Sequence, residues 1–272
     1  MVSTIIIGKN SNLSKHIFNK CKNYFLLSSR EIIENKDVLS QFKDKNINII
    51  FNNFVPATQL NNINSCEEYI SSSVLSTSIV LDYFVGTNIN KIIYTSSSSV
   101  YGNNILCKES DQLSPMNLQA SLKVANEKLI EIYCINNGTD YTIARIFNMY
   151  GGDDKFSVVS KIISAYKSKS NLTIVNNGNA IRDFIHIDDV VSIYLGLLDT
   201  KSIHILNIGT GFGSSIKNIL DFLSNNGIKI EIQNIYKDEL RVSTADNRLL
   251  SEIFQKENFI KIEDYLKKEF NL

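Results

Sequence analysis

The stretch "KIIYTSSSSVYG" (Lys91 to Gly102) takes an apolar, β-branched run into a row of hydroxyl side chains and ends on a Tyr-Gly turn. It reads as a buried strand whose C-terminal end presents polar groups. The same kind of run recurs on either side of it. "TIIIG", "YFLLS", "INIIFNN" and "YTIARIFN" are further strands. "SKHIFNKC", "DVLSQF", "CEEYISSSVLSTSIVLDYFVG" and "LKVANEKLIEIYCINNG" are helices, the last stopped by Gly138. Strands that alternate with helices and are apolar almost throughout belong to a parallel sheet covered on both faces. The expected fold is α/β, a doubly wound parallel sheet with a smaller C-terminal lobe. Residues 1–150 with about 181–204 are expected to form the main domain, and 151–180 with 205–272 the lobe.

Composition narrows the function classes. Of 272 residues 43% are hydrophobic, which suits a sizeable core, and 28 basic side chains balance 28 acidic ones. A nucleic-acid or acidic-membrane partner therefore has no electrostatic support. Cys21, Cys66, Cys107 and Cys134 show no CxxC spacing, and His16, His186 and His204 do not cluster, so no metal site is expected. The opening "MVSTIIIGKNS" is too short for a signal h-region and lacks a basic start, and no stretch approaches ~20 apolar residues. The expectation is a cytoplasmic protein.

Two turns bear on ligands. After the first strand a G-x-x-G-x-x-G pattern would fall on Gly8, Ser11 and Ser14, with one glycine kept. Such a Rossmann turn brings backbone, and here serine hydroxyls, close to a pyrophosphate at a helix start. Gly8, Ser11, Asn12 and Leu13 are the candidate contacts. After the second strand, "LLSSRE" offers Ser28, Ser29 and Arg30. Two hydroxyls and a guanidinium suit a 2′-phosphate, which predicts NADP(H) in preference to NAD(H).

Taken together, "YTSSSSVYG", "QASLK", "ARIFNMYGG" and "IRDFIHIDDVV" resemble, in this order, the extended short-chain dehydrogenase/reductases, the NAD-dependent epimerase/dehydratases of nucleotide sugars. The resemblance covers nearly the whole chain. It implies a Rossmann-type fold and a nucleotide diphosphate sugar as substrate, and a homodimer is compatible with it. The family's catalytic hydroxyl falls on Ser97, and its Tyr-x-x-x-Lys pair on Gln119 and Lys123, one helical turn apart and on one face, which the resemblance points at the nicotinamide, with Lys123 also holding the nicotinamide ribose. Asn53 and Phe54 fall beside the cofactor. Asn148 falls where the family contacts the sugar diphosphate. Arg182 and Arg241, the latter in a motif closed by Asp246, fall on phosphate-binding arginines. The structural alternative pairs Arg182 with Asp183 and Arg241 with Asp246.

Position 119 departs from the family. An amide has no titratable proton, and loss of a positioned acid or base forfeits ~10²–10⁴ in rate. Oxidation of a sugar alcohol needs a base first. Reduction of a ketone needs donors for a developing alkoxide, which Ser97, Gln119 and Lys123 can supply. The stretch "GGDDKFSVV" also resembles keto-sugar reductases that finish 3,6-dideoxyhexoses. The first reading is reduction of an NDP-4-keto-(di)deoxyhexose in cell-surface polysaccharide precursor synthesis. Two alternatives stay open: an epimerase or dehydratase with a substitute acid/base, Tyr101 being nearest in sequence, and an inactive relative that binds a nucleotide or a partner.

Overall fold

The structure, a computed structural model, describes residues 2–53, 66–255 and 258–272. Its strands are β1 (Ser3–Ile7), β2 (Tyr24–Leu27), β3 (Ile47–Phe51), β4 (Ile89–Ser97), β5 (Leu106–Cys107), β6 (Asp140–Ile146), β7 (Asn148–Tyr150), β8 (Leu172–Val175), β9 (Ile181–His186), β10 (Ile205–Ile208), β11 (Gly213–Ser215), β12 (Ile232–Ile235) and β13 (Val242–Ala245). Its α-helices are α1 (Asn12–Phe18), α2 (Ser29–Glu34), α3 (Cys66–Ile70), α4 (Ser76–Tyr83), α5 (Leu118–Asn137), α6 (Val158–Ser168), α7 (Ile187–Asp199), α8 (Ile216–Asn225), α9 (Arg248–Phe254) and α10 (Ile262–Phe270).

The central sheet is Rossmann-like, with six strands in the order β10-β6-β4-β3-β1-β2. β1 pairs in parallel with β2 and β3, and β3 in parallel with β4. Successive residues Ile5, Ile6 and Ile7 are fully buried, as are Ile49, Ile50 and Phe51. Burial of neighbours that point to opposite faces means that both faces of the sheet are covered. The chain runs outward from β1 to β2 and returns to β3 on the other side of β1. Where strand order reverses in this way, a crevice opens at the carboxyl ends of the strands. Gly8, Asn52 and Ser97 stand at or just past those ends.

The chain forms two compact units: Met1–Val100, Leu113–Arg145 and Val191–Leu206; and Tyr101–Gln112, Ile146–Val190 and Asn207–Leu272. Residues 101–112, 146–150 and 181–190 thus lie in the second unit and 205–206 in the first, each opposite to the sequence expectation. Strand pairing explains the difference. β9 sits in a sheet ordered β11-β9-β13-β5 and also pairs with β7, so it carries 181–190 with it, and β5 carries 101–112. A separate core of Tyr150, Ile162, Leu172, Ile174, Leu223 and Leu266 supports this unit.

Two helical expectations are modified. "DVLSQF" lies in a 3-10 helix, Lys36–Phe42. The helical run from Cys66 to Tyr83 contains a π turn at Ser71–Leu75. Hydroxyls bond back to carbonyls one turn earlier, Ser73 to Tyr69 at 2.5 Å, Ser76 to Ser72 at 2.6 Å and Thr77 to Ser73 at 2.6 Å, and compete with the regular ladder. Among the described residues no helix is long and apolar enough to cross a membrane.

Candidate active site

Helix α5 begins where Asn117 Oδ1 accepts the Ala120 N–H at 2.9 Å, and ends at Gly138 in the left-handed region, φ 63°. Its buried face is Ala120, Lys123, Asn126, Glu127, Ile130 and Cys134, so the half nearer the N-terminus buries polar and charged groups. Burying such groups costs stability unless they are bonded. Here Lys123, Glu127 and the Asn126 amide nitrogen are bonded to the end of β4 and to β6. Lys123 is 5% exposed; its Nζ donates to the Thr95 carbonyl at 2.8 Å and sits 5.6 Å from the Tyr94 ring centroid. Asn126 Nδ2 donates to the Tyr94 hydroxyl at 3.3 Å. Glu127 accepts from Arg145 Nη2 at 2.7 Å and Nε at 3.2 Å, and from the Ser96 hydroxyl.

These bonds hold Lys123 against the segment that delivers Ser97. Ser97 is half-buried at the strand end, where its Oγ accepts the Ser99 N–H at 3.2 Å. Gln119 is half-buried in the first turn of α5, one turn before Lys123 on the same face. Burial pushes the Lys123 amine down to about 8, with Glu127 pulling it back up. Burial also raises the Tyr94 phenol, so it stays protonated across the physiological range.

The turn after β1 is built for close approach. Gly8 has φ +109°, and a Cβ there would lie 2.2 Å from the Asn52 carbonyl oxygen. No other residue fits, on either count. Ser11 caps α1. Asn52 Nδ2 donates to Ser11 Oγ at 2.8 Å and to Ser14 Oγ at 2.9 Å. The two serines that stand in glycine positions therefore tie the turn to the end of β3. Asn12 opens α1, and the Leu13 side chain is buried in the core. This tight glycine turn, at the point where strand order reverses, fits the pyrophosphate of a dinucleotide.

At the end of β2, Ser28 makes a capping box with Glu31, and the Ser29 and Ser76 hydroxyl oxygens lie 3.2 Å apart. Arg30 is on α2, 87% exposed, and pairs with Glu34 at 2.7 Å. Glu31 also takes Lys9 Nζ at 3.2 Å. The Asn53 side chain points into the helices, where its Nδ2 lies 2.9 Å from each of Ser73 O, Ser76 Oγ and Thr77 Oγ1 and shares its two protons among them. Phe54 lies outside the described residues.

Asn148, Arg182 and Arg241 are in the second unit. Asn148 Nδ2 donates to the Asp183 carbonyl at 3.3 Å. Arg182 donates to the Ile181 carbonyl at 2.9 Å and reaches Glu239 at 3.5 Å. Arg241 is exposed, and its carbonyl accepts the Ile181 N–H at 2.8 Å, which places its backbone beside that of Arg182. The structural pairings weighed from sequence do not form. Asp183, fully buried, takes the Thr210 N–H and hydroxyl and the Gly211 and Ala245 N–H groups at 2.7–3.1 Å. Asp246 is held by Arg248 at 2.6 Å. Tyr101 is buried, and its hydroxyl donates to Asn207 Oδ1 at 2.7 Å, while Asn207 Nδ2 donates to the Cys107 carbonyl at 2.8 Å. It is a tether within its unit and not a free acid.

Sequence reasoning missed Asn52, Asn126, Glu127 and Arg145. A signal for one pair was present: Lys123 and Glu127 are one turn apart on a face that continues into Ile130 and Cys134.

Residues 12–209 match the model of the NAD dependent epimerase/dehydratase family. A UDP-glucuronate 4-epimerase from Thermodesulfobacterium geofontis is 28% identical over 211 residues, 75% of this chain and 65% of the relative. A human dTDP-D-glucose 4,6-dehydratase is 30% identical over 61% of this chain and 50% of its own length. The chain thus spans half to two thirds of these relatives. A solved UDP-glucuronic acid 4-epimerase from Bacillus cereus, in complex with UDP-glucuronic acid and NAD, superposes with TM-score 0.87 at 21% identity, covering 100% of this chain and 98% of that one.

Proposed function

Because this chain belongs to the NAD-dependent epimerase/dehydratase family, we propose that it is a nicotinamide-dinucleotide-dependent oxidoreductase of nucleotide diphosphate sugars, reducing an NDP-4-keto-(di)deoxyhexose for cell-surface polysaccharide precursors. The observation that carries this is the start of α5: Gln119 stands one turn before a buried Lys123. The nearest substitute phenol in sequence, Tyr101, is engaged with Asn207. A site with donors and no titratable hydroxyl at 119 suits stabilising an alkoxide better than deprotonating an alcohol.

The turn from Gly8 to Leu13 holds the dinucleotide, which supplies the hydride when bound in reduced form. Ser97 and Gln119 donate to the carbonyl oxygen of the sugar, and Lys123 places a positive charge beside it. Asn148, Arg182 and Arg241 hold the sugar diphosphate. Cofactor preference falls to NADP(H) if Arg30 leaves the exposed Glu34, a weak surface competitor, for the stronger acceptor a 2′-phosphate offers. Retention of Lys123 argues against an idle scaffold. Holding its ammonium where burial brings it to about 8 costs on the order of 3 kcal/mol at neutral pH.

The second reading, an epimerase or dehydratase, is favoured by the curated relatives carrying those activities. One incubation separates the two. With NADPH or NADH and an NDP-4-keto-6-deoxyhexose, the reductase consumes reduced cofactor one for one. An epimerase or dehydratase converts an NDP-hexose with no net consumption.

A further inference from the structure

We infer that in this chain the Lys123 ε-ammonium itself hands the proton to the substrate oxygen, the task a phenol at position 119 would otherwise have. The inference rests on the reductase reading. Gln119 can donate a hydrogen bond but has no proton to give up. Lys123 is the next polar group on that face of α5, and its Nζ is fixed at 2.8 Å from the carbonyl of Thr95, two residues before Ser97 on the same strand.

The charged and titratable groups packed around it leave it this role. Glu127, on its own helix, has its oxygens on Arg145 from β6 and on Ser96 from β4. Tyr94 from β4 lies beneath the ammonium, and Tyr194 from α7 bonds the Thr95 hydroxyl at 2.7 Å. Burial raises both phenols, so neither exchanges a proton near neutrality. The amine, brought down to about 8, does.

The step balances. The carbonyl carbon gains a C–H bond from the reduced dinucleotide, two electrons and one hydrogen. The carbonyl π pair becomes an alkoxide lone pair, and that pair takes one proton from Nζ. A neutral amine remains, and solvent reprotonates it after product leaves. The sum is ketone, reduced dinucleotide and one proton giving alcohol and oxidised dinucleotide.

The test has two arms. The first needs no substrate: calorimetric binding of oxidised dinucleotide near pH 8, in two buffers of different ionisation heat. The cationic nicotinamide should expel the Lys123 proton in wild type, and Lys123→Met should release none. Equal release from both proteins overturns the inference. The second arm is the pH profile of ketone reduction. In wild type kcat/KM should fall as pH rises through about 8. Lys123→Arg, charged at every pH, should still bind dinucleotide but lose that limb and about 10²-fold or more in kcat. Adding Gln119→Tyr to Lys123→Arg should restore rate. A Lys123→Arg protein with wild-type kcat, or with the limb intact, overturns the inference and leaves Lys123 a positioning residue. Proton release without any turnover supports Lys123 as the titrating group and instead removes the reductase reading.

Discussion

At the scale of single residues, the chain sets an amide, Gln119, one helical turn before a buried amine, Lys123. The depressed pKa of Lys123 has a consequence for stability that is independent of catalysis. Unfolded, the amine titrates near 10.5; folded, near 8. Below about 8 both states carry the proton and the fold bears the full desolvation penalty. Between the two values the unfolded chain binds more protons, so stability rises with pH. Urea unfolding of wild type and Lys123→Met across that window should therefore show the difference moving in favour of wild type, by up to about 3 kcal/mol. A pH-independent difference would mean that the amine titrates normally. Gln119→Tyr is the complementary change. With the lysine already one turn away, a phenol should raise ketone reduction by on the order of 10²-fold, or unmask oxidation of a sugar alcohol. A variant unchanged in both reactions would place position 119 away from the chemistry.

Among the elements, the β1–α1 turn and α5 show which features can be read from sequence and which cannot. The strands around "KIIYTSSSSVYG" and the stop at Gly138 were legible because apolar period and a left-handed cap are local properties. The split of the helix 66–83 was not, since three back-bonding hydroxyls only matter together. Nor was the role of Ser11 and Ser14, because their partner Asn52 lies some forty residues on, at the end of another strand. The pairing of Glu127 with Arg145 was not legible either, because Arg145 lies on a separate element, β6. The turn yields its own prediction. Asn52→Ala removes the donor to two hydroxyls in a buried setting and should cost about 1–3 kcal/mol in stability while weakening dinucleotide binding. Unchanged affinity in a folded variant would show that the serines shape the turn unaided.

For the molecule as a whole, two units divide the labour proposed for them. The first carries the turn, Ser97, Gln119 and Lys123; the second carries Asn148, Arg182 and Arg241. Family membership was legible because its motifs keep their order along the chain. The unit boundaries were not, because β5 and β9 pair with strands distant in sequence. If the second unit holds the sugar diphosphate, Arg182→Ala should raise KM for the sugar nucleotide by about tenfold or more and leave dinucleotide affinity intact, as loss of a charge-assisted bond requires. An unchanged KM would free Arg182 from that role. Arg30→Ala should weaken NADPH binding about tenfold and leave NADH binding alone; equal losses would show that Arg30 does not read a 2′-phosphate. The most direct measurement is a single-turnover mixing of the protein and reduced dinucleotide with an NDP-4-keto-6-deoxyhexose, following the near-ultraviolet absorbance of the reduced nicotinamide. Wild type should lose that absorbance stoichiometrically, and Lys123→Met should lose almost none of it. An absorbance that stays constant while the same protein interconverts NDP-hexoses would contradict the reductase reading.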